Sequence, residues 1–288
     1  MPAKLVFVAW IGACAALGGC GSAEDSAVPD TPAAQTPAPP PRAPDVPAET
    51  TIEDPSPAVE LLEHSLAYGE TEDSNLIGYL AMPADAIEPL PGIVVIHEWR
   101  GLDDGIKSTT RRLAAEGYVA LAVDLYAGAT AGTPAEAEAL MAAVLERPDN
   151  TLSNIRQAYD YLSRHAFAPS VALVGWSLGG TWALRTALAL PGDLDALVVY
   201  YGEVVTDREQ LRGLDMPILG FFAELDESIP VGDVELFRTG LREFGLEPEI
   251  YVYSRVGHAF ASPGSGAYDG AAAERAWTRT IEFLQKSL

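Results

Sequence analysis

The sequence predicts an α/β domain: a mostly parallel sheet with helices on both faces and an antiparallel hairpin at its start. Short apolar runs such as "GIVVIHE" and "VALVG" are typical of strands that are buried on both faces. Helical segments alternate with these runs, which indicates parallel strands joined by crossover helices. With 288 residues, 48% of them hydrophobic, the chain is long enough to bury such a sheet.

The predicted elements begin at residue 59. The segments "VELLEHSLAYG" and "NLIGYLAMP", joined by a polar turn, predict the hairpin. Further strands are predicted at "GIVVIHE", "YVALAVDLY", "VALVG", "DALVVYYG", "MPILGFF" and "EIYVYSRV". Helices are predicted at "GIKSTTRRLAAEG", 134–146, 150–165, "SLGGTWALRTALAL", 231–244 and 270–286. In such a sheet, reactive groups lie beyond the carboxyl ends of the strands.

Residues 1–19 are typical of a lipoprotein signal peptide. Lys4 gives a positive start, and Leu5 to Leu17 form an apolar segment too short for an ordinary transmembrane helix. The segment ends in "LGGC", which resembles a lipobox and implies cleavage before a lipid-modified Cys20. The alternative is an ordinary leader with a chance cysteine. No cysteine follows Cys20, which suits an oxidising compartment.

Residues 20–58 predict a disordered tether after the lipidated cysteine. They are rich in Pro, Ala, Thr and acidic residues and lack the apolar periodicity needed to offset the entropy of ordering. We therefore expect the domain at 59–288 to be anchored to a membrane of the bacterial cell envelope, on its extracytoplasmic side. Because Gly21 is not an aspartate, we expect the outer membrane, facing the periplasm, if the host is Gram-negative.

The formal net charge of −23 disfavours binding to nucleic acid, because phosphate backbones repel an acidic chain. The sequence contains no dinucleotide motif, phosphate loop or metal-ligand cluster, so we expect no cofactor and no metal. The acidic loop "GLDDG" is better explained by carboxylates at a helix N-terminus. The sequence does not fix the oligomeric state, and a monomer is the default.

The stretch "VGWSLGGTWAL" places Ser177 between a predicted strand and a predicted helix. This is the context of a nucleophile elbow, a sharp turn that lifts the serine hydroxyl above the sheet. Gly175 and Gly179 are expected where neighbouring backbones approach too closely for a Cβ atom. The N–H of Leu178, at the start of the helix, would face a developing oxyanion. The alternative is a purely structural glycine-rich turn.

A serine nucleophile needs a base, and the base needs an orienting acid. Of the four histidines, only His258 follows Ser177. Asp226, in "FFAELDESIP", lies between them and is the preferred acid, with Glu224 and Glu227 as competitors. The alternatives are a loop histidine without function and solvated loop carboxylates.

Four segments in order, "VVIHEWRGLDDGIKSTTRRLAAEGYVALAVDLYAG", "GWSLGG", "AELDESIP" and "GHAF", resemble the dienelactone hydrolase family of α/β-hydrolases. The resemblance covers about residues 60–288 and implies an α/β-hydrolase fold in which Ser177, His258 and Asp226 are nucleophile, base and acid.

The resemblance also implies roles for three residues of neighbouring loops. The N–H of Trp99 would be the second oxyanion donor, Glu98 would lie near the nucleophile, and Tyr126 would be a pocket residue. Trp176, beside the nucleophile, is interpreted as core or pocket wall.

The sequence departs from the namesake of the family in two respects. The namesake has a cysteine nucleophile that its glutamate helps to control, so Glu98 has either that role or that of a structural acceptor to the oxyanion loop. The namesake also binds a substrate carboxylate with arginines, where this chain has Gly128 and Ser262. We therefore expect neutral substrates to be preferred, with Arg100 and Arg255 as alternative cations.

The sequence thus predicts a lipid-anchored serine hydrolase that cleaves a carboxylic ester or lactone through an acyl-enzyme. One alternative is a peptidase or amidase with the same triad. Another is a non-catalytic binding protein of the envelope that keeps the fold. The acyl and alcohol groups of the substrate are not identified by the sequence.

Overall fold

The computed structural model describes residues 59–72 and 74–288. The predicted signal peptide, Cys20 and the tether lie outside the described residues. The strands are β1 (Leu61–Glu70), β2 (Asn75–Pro83), β3 (Gly92–Ile96), β4 (Val119–Val123), β5 (Val171–Trp176), β6 (Ala196–Tyr200), β7 (Ile218–Ala223) and β8 (Glu249–Tyr253). The helices are α1 (Asp104–Ala115), α2 (Pro134–Glu146), α3 (Pro148–Arg164), α4 (Leu178–Ala189), α5 (Arg208–Leu211), α6 (Val231–Glu243) and α7 (Gly270–Ser287).

The strands form one sheet in the order β1-β2-β4-β3-β5-β6-β7-β8. Strands β3 to β8 pair in parallel, while β1 pairs antiparallel with β2 and β2 pairs antiparallel with β4. This arrangement confirms the predicted mostly parallel sheet and its antiparallel hairpin. The carboxyl ends of β3 to β8 consequently share one edge, which we call the carboxyl edge.

Hydrophobic clusters cover both faces of the sheet. One cluster includes Ile155 of α3, Trp182 of α4 and Phe237 of α6. The other includes Leu113 of α1 and Leu284 of α7. Since every residue of β3 to β7 is buried, these strands lack the alternation of a half-exposed sheet. None of the helices in the described part has the length and apolar character needed to cross a membrane.

The predicted acidic cap is present at the start of α1. The side chain of Asp103 accepts a hydrogen bond from the N–H of Ile106 at 3.0 Å, and Asp104 lies in the first helical turn. Both carboxylates therefore stabilise the positive end of the helix dipole.

Four strands, β3, β4, β6 and β8, end earlier than the sequence predicts, all at the carboxyl edge. After β4, the carboxylate of Asp124 accepts the N–H of Tyr126 at 2.8 Å and turns the chain. After β6, Tyr201 has a positive φ of 37°, and after β8, Arg255 has a φ of 63°. Beyond these turns, the chain continues as loops at the carboxyl edge. Helix α5 was not predicted, because four residues are too few to show a helical period.

Candidate active site

Ser177 lies in a strained turn between β5 and α4. Its backbone angles are φ 50° and ψ −114°, and its N–H donates to the carbonyl of Tyr200 at 2.9 Å. A positive φ is uncommon for a residue with a side chain, and such strain concentrates at functional sites. The turn projects the serine hydroxyl from the carboxyl edge, as a nucleophile elbow requires.

Two glycines allow the turn to pack closely. A Cβ atom on Gly175 would collide with the carbonyl of Gly179 and lie 2.7 Å from the nitrogen of Gly180. A Cβ atom on Gly179 would collide with the carbonyl of Ile96 and lie 2.6 Å from the carbonyl oxygen of His97. The expected close approach of backbones at Gly175 and Gly179 is therefore present.

The three predicted triad side chains form one hydrogen-bonded chain. The Oγ of Ser177 lies 2.9 Å from Nε2 of His258, and Nδ1 of His258 lies 2.7 Å from Oδ2 of Asp226. With the proton on Nδ1 facing the carboxylate, Nε2 is free to accept the serine proton. The loops after β5, β7 and β8 supply one residue each.

The carboxylate of Asp226 is buried and fully engaged, with only 1% of its side chain exposed. Its second oxygen, Oδ1, accepts the N–H groups of Ser228 at 2.9 Å and Ile229 at 3.1 Å. Burial alone raises the pKa of Asp226, but the hydrogen bonds and charge of His258 and the two N–H groups lower it below its ordinary value. The competing Glu224 accepts the N–H of Arg255, and Glu227 is exposed.

The loop after β3 carries Trp99, the predicted oxyanion donor. The hydroxyl of Tyr126 donates to the carbonyl of Trp99 at 3.1 Å, and Tyr126 is buried. The predicted pocket residue thus braces this loop through its hydroxyl. On the other side, the N–H of Leu178 is the first of α4 and has no acceptor within the helix.

Glu98 is buried near the predicted triad and contacts the loop that carries His258. Its Oε1 accepts the hydroxyl of Ser262 at 2.5 Å, whereas its Oε2 is buried without a hydrogen-bond partner. Burial raises the pKa of Glu98. The predicted role as an acceptor is therefore exercised toward the His258 loop, which corrects the expectation of an acceptor to the oxyanion loop.

The structure also places residues that sequence reasoning missed or left open. Trp176 is buried and stacks on Tyr200 with 5.0 Å between ring centroids, so it belongs to the core. Tyr201, which follows Tyr200, lies edge-on to His258 at 5.3 Å. His97 is completely buried between two loops. The "HE" motif predicts a role for Glu98 and none for His97, so sequence reasoning missed this histidine.

Within residues 59–72 and 74–288, no cluster of three or more His, Cys, Asp and Glu side chains is arranged to hold a metal ion.

Comparison with known proteins places this site in a family. The model of the dienelactone hydrolase family matches residues 76–288, well over half of the chain. The chain belongs to the dienelactone hydrolase family. As a member of the dienelactone hydrolase family, it is a carboxylic ester hydrolase, of the ester or lactone type.

Relatives of the chain within the dienelactone hydrolase family span most of its globular part. Protein usf of Aquifex pyrophilus is 33% identical over 218 residues, covering 73% of this chain and 93% of that protein. A protein of Escherichia coli O157:H7 named "Putative carboxymethylenebutenolidase" is 31% identical over 231 residues, covering 75% and 84%.

Solved structures show the same fold. A dienelactone hydrolase structure from Klebsiella pneumoniae, described as putative, is 28% identical with a TM-score of 0.69 and covers 78% of this chain and 99% of that one. The dienelactone hydrolase-like promiscuous phosphotriesterase P91, from metagenomic libraries, has a TM-score of 0.71 at 22% identity, covering 79% and 98%. At that identity, the second likeness concerns the fold alone.

Proposed function

We propose that the protein cleaves a carboxylic ester or lactone through an acyl-enzyme on Ser177. The observation that carries this proposal is the hydrogen-bonded chain from Ser177 through His258 to Asp226, which begins at a strained elbow on the carboxyl edge. The relatives support the ester or lactone class, and the geometry supports the residues.

In the first half of the reaction, the Oγ of Ser177 attacks the carbonyl carbon while Nε2 of His258 takes the hydroxyl proton. Asp226 stabilises the imidazolium that forms. The N–H groups of Leu178 and Trp99 stabilise the oxyanion of the tetrahedral intermediate. When the intermediate collapses, His258 donates its proton to the leaving alkoxide and the acyl group stays on the serine.

In the second half, a water molecule takes the place of the alcohol. His258 removes a proton from this water as it attacks the acyl-enzyme carbonyl, and the same oxyanion donors act again. His258 then returns the proton to the Oγ of Ser177 as the carboxylic acid leaves. For a lactone, the alcohol and the acid are parts of one ring-opened product.

We propose further that neutral substrates are preferred over substrates with a free carboxylate. Gly128 and Ser262 carry no charge, and the hydroxyl of Ser262 is bonded to Glu98. A carboxylate in an apolar site without a cation costs several kcal/mol. Because Arg100 and Arg255 lie in loops at the same edge of the sheet, they are the residues to change if the free acid is turned over well.

The test combines active-site labelling with a substrate panel. A fluorophosphonate should label the chain once, and Ser177→Ala should abolish labelling and lower ester turnover by about 10³- to 10⁶-fold. Ser163→Ala, on helix α3, is the control and should leave both unchanged. Labelling that persists in Ser177→Ala would overturn the assignment. Turnover of anilides alone would indicate an amidase, and no turnover or labelling would indicate a binding protein.

A further inference from the structure

His97 bridges two loops of the carboxyl edge through both of its ring nitrogens. It directly follows β3 and none of its surface is exposed. Its Nδ1 lies 2.8 Å from the carbonyl oxygen of Glu98, and its Nε2 accepts the N–H of Leu125, in the loop after β4, at 3.0 Å.

These two contacts determine which nitrogen carries the ring proton. The N–H of Leu125 is a donor, so Nε2 must be unprotonated. The remaining nitrogen, Nδ1, then holds the proton and donates it to the carbonyl of Glu98. Burial lowers the pKa of His97, although the carbonyl of Glu98 and the carboxylates of Asp124 and Asp103 act in the opposite direction. The neutral ring is thus the form that fits this site.

The carbonyl that His97 binds belongs to the peptide group whose N–H is that of Trp99. In a trans peptide the C=O and N–H point in opposite directions, so the direction of one fixes that of the other. The same carbonyl of Glu98 also accepts the N–H of Gly101 at 3.2 Å. A second contact holds the next peptide, because the hydroxyl of Tyr126 donates to the carbonyl of Trp99.

We propose that His97 is a positioning residue for the oxyanion hole. Its Nδ1–H holds the Glu98–Trp99 peptide so that the Trp99 N–H is directed at the developing oxyanion. Its Nε2 holds the loop that carries Tyr126. This inference rests on the proposed function, in which the Trp99 N–H is an oxyanion donor. Loss of one such donor costs about 10²- to 10³-fold in kcat, and a donor that is present but misdirected should cost about 10- to 100-fold.

Two amide substitutions separate the two contacts of the ring. The side chain of His97→Asn reaches the position of Nδ1 and can still donate to Glu98, but it is too short to reach Leu125. The side chain of His97→Gln can reach the position of Nε2 and loses the bond to Glu98. We expect His97→Gln to lower kcat by about 10- to 100-fold with little change in KM. We expect His97→Asn to stay within about 5-fold of the original kcat, since it keeps the bond that aims the donor.

The affinity for a trifluoromethyl ketone provides a readout that would not change if His97 had only a structural role. The ketone's hemiketal oxyanion on Ser177 occupies the oxyanion hole, so the affinity should fall in parallel with kcat/KM in His97→Gln. The pKa of the hemiketal, followed by ¹³C NMR of the labelled ketone, should rise in the same variant. If the two variants lose kcat equally, or if ketone affinity is unchanged while kcat falls, the positioning role is wrong.

The unmodified protein gives a test that does not depend on a variant folding. Nitrogen-15 NMR of His97 should show a protonated Nδ1 and an unprotonated Nε2, and a proton on Nε2 would overturn the inference. Ser177→Ala separates this inference from the proposed function. If that variant keeps its turnover, the proposed function fails. If it loses turnover while His97→Gln does not, only the role of His97 fails.

Discussion

A methyl group added at Gly179 would test how closely the nucleophile elbow must approach β3. The new Cβ would collide with the carbonyl of Ile96 and lie 2.6 Å from the carbonyl oxygen of His97. Both obstacles are backbone atoms, so no side chain can rotate away, and α4 must move relative to β3. Overpacking in a well-packed core costs about 1–3 kcal/mol, and we expect the upper end here because the obstacles are rigid.

A loss of about 3 kcal/mol should lower the melting temperature by roughly 6–12 °C for a domain of this size. The loss in activity should be larger than the stability alone explains. A misplacement of about 1 Å at an active site costs on the order of 100-fold in rate. Thermal unfolding, urea unfolding and ester turnover of Gly179→Ala measure these effects.

Two other glycines provide matched controls for Gly179→Ala. A Cβ atom added to Gly232 in α6 would meet no atom within 4 Å, so Gly232→Ala should be neutral or should stabilise by up to about 1 kcal/mol. Gly180 is intermediate, with its nearest contacts at 3.0 and 3.1 Å. If Gly179→Ala is as stable and active as Gly232→Ala, the close approach of elbow and β3 is refuted. If stability falls but turnover does not, the argument from positioning is wrong.

Two further predictions concern a buried acid and the anchor. Because burial raises the pKa of Glu98, the folded state holds a proton that the unfolded state releases, so stability falls as pH rises from the ordinary carboxyl pKa to the raised value. Glu98→Gln should therefore stabilise the protein more at pH 8 than at pH 5 in urea unfolding, and an equal effect at both pH values would contradict this. Cys20→Ser should block lipid modification. If the intact mass of the native mature protein shows an unmodified N-terminus at a residue other than Cys20, the lipid anchor is excluded.

The sequence predicts the strands well because their amino-acid composition indicates that they are buried. The runs at β3, β5 and β7 are apolar on both faces. In an α/β domain, a short segment of this kind is typical of an inner strand of a parallel sheet. The position of β4 between β2 and β3 cannot be predicted from the sequence of any single segment. It depends on how the hairpin and the first crossover pack together, which is a property of the whole sheet.

The three side chains of the hydrogen-bonded chain could be named from the sequence, but the residues that support them could not. Only one histidine follows Ser177, so the choice of His258 needed little structural information. The bond between Glu98 and Ser262 joins residues that are 164 positions apart. No local pattern specifies such a pair, and the same is true of the contacts that His97 makes with two separate loops.

Ser262 gives the buried carboxyl group of Glu98 a hydroxyl and no positive charge, which is consistent with the raised pKa of Glu98. A cation at residue 262 would stabilise the ionised carboxylate, whereas a hydroxyl supplies a single hydrogen bond that only partly offsets burial. In the proposed function, Glu98 directly precedes Trp99, whose N–H would stabilise the substrate oxygen as it becomes negative. A negative charge on Glu98 would oppose the oxyanion that the proposed attack of Ser177 forms, and burial makes that ionisation less favourable.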